Sequence, residues 1–143
     1  MKKTPSEVEY ALRSFLQNSM LFTDPKKPNG LLGFNRLDNS ILEDTIISAL
    51  TLDAKQIQEG LINVNIYVPN LVLKFENNII DKSQKNAKRI AEINRLAMDT
   101  FSDDEIFIDN YNFYYQQSRT YQNTENLNEH LINIRIEFTA VNL

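Results

Sequence analysis

Apolar residues recur at helical spacing between Pro5 and Gln17, where Val8, Ala11, Leu12, Phe15 and Leu16 make one stripe. Thr4 with Glu7 three positions later forms a capping-box pattern, and Pro5 falls at the first helical position, where a missing N–H is harmless. The next stretch, Thr23 to Gly30, is rich in proline and ends in Asn29-Gly30, so turns replace the helix there. Leu31 to Leu37 contains Gly33 and reads either as a short strand or as an arm lying over a neighbour. From Glu43 to Leu52 the β-branched content rises, and Thr45 to Leu52 is apolar on both parities, as in a strand covered at least in part on both faces, although the period alone also admits a helix. Ile62, Val64, Ile66 and Val68 then alternate with Asn63, Asn65 and Tyr67 until Pro69 ends the strand.

A second helix is predicted over Lys82 to Thr100. Ala87, Ile90, Ala91, Ile93, Leu96, Ala97, Met98 and Phe101 share a broad side, and Lys85, Lys88, Arg89, Glu92, Arg95 and Asp99 are expected in solvent. One strand is expected from Glu105 to Tyr121. Phe107, Tyr111, Phe113, Tyr115 and Tyr121 fall on one parity, Ile106, Ile108 and Tyr114 on the other. A polar loop follows, and the last strand alternates Ile132, Ile134, Ile136 and Phe138 with Asn133, Arg135, Glu137 and Thr139. The predicted order is α-β-β-α-β-β: an α+β two-layer sandwich with a roughly four-stranded mixed or antiparallel sheet and two helices on one face. At 143 residues this is one domain, 1–143, with a long arm or loop at about 18–42.

Composition narrows the chemistry. A hydrophobic fraction of 42% suits a folded domain, and the absence of cysteine removes disulfides, thiol catalysis and cysteine–zinc sites. No signal-peptide pattern follows Met1-Lys2-Lys3, and no apolar run is long enough to span a membrane. A net charge of -4 argues mildly against general binding of duplex nucleic acid.

His130 is the only histidine, which rules out a histidine metal triad and reads as a structural side chain beginning the last strand. Asp103-Asp104-Glu105 reads as a solvated turn, and Asp44, Asp53 and Asp109 form no metal-loop spacing. Gly30-Leu31-Leu32-Gly33 lacks the spacing of a phosphate loop, and no serine sits in a nucleophile elbow. No catalytic, cofactor-binding or metal-ligating residue is therefore expected, and the protein reads as a non-enzyme.

The aromatic strand is the unusual feature, because large side chains fall on both its faces while one helix layer can bury only one. Tyr111, Tyr114, Tyr115, Arg119 and Tyr121 are candidate interface residues, since tyrosine and arginine are enriched at protein interfaces. Covering of the second face by the 18–42 segment is the alternative. An arm reaching a neighbour would explain Leu31, Leu32 and Phe34 in a polar, turn-rich region, and they join the candidates. The helix cations Lys82, Lys85, Lys88, Arg89 and Arg95 would support nucleic-acid contacts only if they converged with the strand tyrosines.

The pattern resembles the tail-terminator, or tail-completion, proteins of long-tailed bacteriophages. The likeness rests on the N-terminal helix, the pair around Glu43–Ile47 and Gly60–Pro69, the helix through Asn86–Ala91, and the closing strand Glu129–Phe138. It implies a homo-oligomer, often a hexameric ring, that caps the tail tube and meets the head-side connector proteins. It also implies a virion component assembled in the bacterial cytoplasm, without a cofactor, membrane contact or specific nucleic acid. A protein-binding adaptor that forms no ring is the first alternative function, and a nucleic-acid-binding domain the second.

Overall fold

The computed structural model describes residues 2–102 and 105–142. Helix α1 spans Pro5–Gln17, with the Thr4 hydroxyl accepting from the Glu7 N–H and the Glu7 carboxylate accepting from the Thr4 N–H. A four-residue helix α2 follows at Met20–Thr23, then strands β1 (Leu32–Gly33), β2 (Thr45–Leu52) and β3 (Ile57–Pro69). A small hairpin is built from β4 (Leu73–Lys74) and β5 (Ile80–Asp81), and helix α3 covers Ala87–Thr100. Strands β6 (Ile106–Ile108), β7 (Tyr111–Gln122) and β8 (Glu129–Val141) complete the fold.

The four-stranded, two-helix sandwich predicted from sequence is therefore incorrect. The main sheet has six strands in the order β1-β2-β3-β8-β7-β6, curled into a half-barrel, and β4-β5 form a second sheet. All neighbours in the main sheet run antiparallel except β1 and β2. Three physical causes account for the difference. Two-residue strands such as β1, β4 and β5 are too short to generate a period. Asp109-Asn110, with Asp109 in the left-handed region, breaks the strand predicted at 105–121 into β6 and β7. The helix predicted from Lys82 starts at Ala87, because the Asn86 side chain caps it by accepting from the Arg89 N–H.

β8, the most regular strand in the sequence, lies at the centre of the sheet between β3 and β7. Its Ile132, Ile134, Ile136, Phe138 and Ala140 face the same side as Ile62, Val64, Ile66 and Val68 of β3. Val8, Leu12 and Leu16 of α1, with Ile90, Ile93, Leu96 and Ala97 of α3, close over this face as a single core. Phe15 meets Phe101 edge to face at 6.1 Å, and Phe101 meets Tyr115 at 6.0 Å, joining both helices to β7.

The other, open face carries no helix among the described residues. Two bulges shape it, one leaving Leu50 of β2 and one leaving Gln116 of β7 as the extra residue. The second bulge matters for function. Before it, Tyr111, Phe113 and Tyr115 pair with Ala140, Phe138 and Ile136 on the helix side. After it the parity reverses, so Arg119 and Tyr121 pair with Asn133 and Leu131 on the open side. Tyr121 thus leaves the row to which simple alternation assigned it.

Candidate interaction surfaces

The eight residues proposed from sequence divide between the two sides of the sheet. Leu32 packs against the core, Tyr111 stacks on Phe113 at 5.8 Å, and Tyr115 lies against Phe101. Tyr114, Arg119 and Tyr121 occupy the open face, and Leu31 and Phe34 stay partly exposed at its β1 edge. The Tyr114 hydroxyl accepts from the Asn112 side chain at 2.7 Å. Lys88 and Arg95 of α3 do not converge with this row, because α3 covers the opposite face, and Lys82 and Lys85 precede the helix. Arg89, expected in solvent, is half-buried in an ion pair instead.

The 18–42 segment is tied down by two arginines. Arg89 of α3 donates to both Glu43 carboxylate oxygens at 2.7 Å and to the carbonyls of Lys26 and Lys27 at 2.8 and 2.9 Å. Arg36 donates to Asp44 at 2.9 Å and to Glu129 at 2.6 Å, while its guanidinium lies over the Tyr67 ring at 4.1 Å. The side chains of Asp44 and Glu129 are only 1% and 3% exposed, so this cation neutralises two carboxylates removed from water. Burial alone raises the Asp44 carboxyl, but bonds from Ser40, the Leu31 N–H and Arg36 outweigh it and hold the group below its ordinary value. Sequence reasoning missed Arg36 and Glu129, because lone charges in a loop and at a strand start carry no periodic signal.

A second anchor fixes the small hairpin. The Asn70 side-chain amide donates to the carbonyls of Lys82 at 2.9 Å and Leu127 at 3.2 Å, so its oxygen must face the His130 ring, 2.6 Å away at Nδ1. That assigns the neutral ring's proton to Nδ1. Burial, with a smaller contribution from Lys85, holds the His130 pKa below its ordinary 6.5. A lowered value in the folded state means the unfolded chain takes up the proton first. The His130 contribution is therefore complete above pH 6.5 and is lost as pH falls below it, and that of Asp44 is lost only below 3.8. We expect the urea midpoint to fall between pH 7.5 and pH 5, by an amount that shrinks in His130→Gln. An unchanged pH dependence in that variant would contradict this assignment.

Beyond its anchor the hairpin exposes most of its side chains. Val72, Phe75, Ile79 and Ile80 are 55%, 56%, 58% and 55% accessible, and Asn77 and Asn78 turn the chain at φ 65° and 60°. Leu37, Ile41 and Leu42 are exposed on the nearby 36–44 loop, and Leu127 on the β7–β8 loop. All these segments leave the sheet at one end, where Pro69 pairs with Glu129 and Arg36 reaches Glu129. A sequence signal existed: the apolar run Leu71-Val72-Leu73, then Phe75, and Ile79-Ile80 after two asparagines. Among the described residues no three histidine, aspartate or glutamate side chains gather as metal ligands. Asp103 and Asp104 of the expected acidic turn lie outside the described residues.

No model of a known protein family matches this chain, and no curated protein matches it either.

Proposed function

We propose that this protein is a structural subunit that works by binding other protein chains, with the 71–81 hairpin as its main contact element. The exposed hairpin carries this reading. A two-stranded hairpin has no core of its own and is marginal in water. Exposing four large apolar side chains on such an element favours burial against a partner. Its rigid root, clamped through Asn70, lowers the ordering cost of that contact. The likeness to phage tail-terminator proteins extends the proposal: the assembly is a homo-oligomeric ring at the end of a tail tube, facing the connector proteins. The adaptor reading shares the hairpin contact but has no ring.

Light scattering coupled to size exclusion, with negative-stain microscopy, tests this. The parent chain is expected to form a closed oligomer with a central opening. Replacing Val72, Phe75, Ile79 and Ile80 together by serine is expected to yield folded monomers. A monomeric parent would remove the self-assembled ring, and an oligomer untouched by the four serines would remove the hairpin's role.

A further inference from the structure

The end of the sheet opposite the hairpin holds a groove of about 680 Å³ lined by Thr51, Leu52, Asp53, Glu59, Leu61, Tyr114, Glu137 and neighbouring backbone. On the open face it presents Leu61 and Tyr114 between Thr51 and Thr139, and the carboxylates Asp53, Glu59 and Glu137 also line it. None of these three carboxylates forms an ion pair among the described residues. The hairpin presents the complement. Lys74 pairs with Ile80 across β4 and β5, so both point to one face, and Val72 joins them two residues earlier. That face therefore offers two apolar side chains and one ammonium, and Lys74 also lacks an ion-pair partner among the described residues.

We propose that the groove receives the Val72–Lys74–Ile80 face of the hairpin from a second copy of this chain. The inference rests on the assembly reading above and specifies how it is built. Ile80 and Val72 pack on Leu61 and the Tyr114 ring, and the Lys74 ammonium meets Glu59 and Glu137. Hairpin and groove lie toward opposite ends of β3, and the stretch from Gly60 to Pro69 separates them by about 30 Å. One chain cannot satisfy both from itself, so the pairing joins two copies. In the ring reading the contact is heterologous, each copy giving a hairpin to one neighbour and a groove to the other and closing when its rotation permits, whereas reciprocal exchange would stop at a dimer.

A mixing experiment tests the pairing. Lys74→Ser with Ile80→Ser blocks the hairpin, and Glu59→Lys with Glu137→Lys blocks the groove. All four positions are solvent-facing, so each variant should keep the parent's circular dichroism and melting temperature. Alone, each is expected to run as a monomer under conditions where the parent is oligomeric. Mixed, they should give a one-to-one dimer and nothing larger, because one intact hairpin meets one intact groove. That dimer should weaken about tenfold or more as salt rises from low to high concentration. Absence of the mixed dimer, a monomeric parent, or full assembly by the groove-blocked chain would each overturn the pairing. Full assembly of the groove-blocked chain with dissociation of the hairpin-blocked one would still leave the hairpin as an assembly element.

Discussion

Arg36→Ala is expected to destabilise the fold by about 3–5 kcal/mol, the usual result of removing one partner from a buried ion pair. The variant keeps Asp44 and Glu129 out of water and deletes the only cation bonded to either among the described residues. It also removes the group stacked on Tyr67 and the donors to the carbonyls of Ser40 and Leu42. In a domain of this size a melting temperature lower by on the order of 10 °C follows. Arg36→Lys should recover only part of the loss, because an ammonium cannot reproduce two divergent donors and a planar stack. Adding Asp44→Asn and Glu129→Gln to Arg36→Ala should recover more, since the stranded charges disappear. Equal stability of the single and triple variants would show that packing, rather than charge, makes the contribution.

Gly60→Ala should cost about 1–3 kcal/mol or more, as forced overpacking does. Gly60 does not lie in the left-handed region, so conformation is not the reason for glycine here. A Cβ at this position would stand 2.1 Å from the Thr51 carbonyl oxygen and 2.6 Å from the Phe138 ring. One obstacle is backbone of the bulged strand β2 and the other a core ring, so neither yields without moving the sheet. Chemical denaturation measures the loss. Gly60→Ser should be no milder, and a variant as stable as the parent would mean that the bulge relaxes freely. Because Gly60 borders the groove, the substitution should also weaken self-association if the pairing proposed above holds.

Long periodic segments were legible in the sequence, and contacts between irregular segments were not. The cap at Thr4, helix α1 and the alternation of β3 and β8 follow from local rules that a single chain displays. The six-strand sheet was missed because its outer members are two or three residues long and held by pairing with an existing edge. Tyr121 was put on the wrong side by one inserted residue, Gln116, whose bulge is decided by the curvature of the sheet. Of the candidate interface, Leu31, Phe34, Tyr114, Arg119 and Tyr121 face outward, but a further exposed apolar group sits on residues 71–80. There the sequence shows only a short apolar run, and no amphipathic period marks it. Arg89 reads as a surface cation from its helical position, and only the fold brings Glu43 to it.

The central position of β8 has a consequence for synthesis. A nascent chain holding residues up to 128 has made β2, β3, α3 and β7, yet the strand that joins β3 to β7 is absent. Until residues 129–141 leave the ribosome, two sheet halves present unpaired inner edges, the sort of surface that recruits neighbouring chains. Ile57 must finally pair with Val141, and so distant a contact makes folding slow. Dependence on chaperones during translation, and degradation of chains cut before residue 129, should therefore accompany a fold whose keystone arrives last.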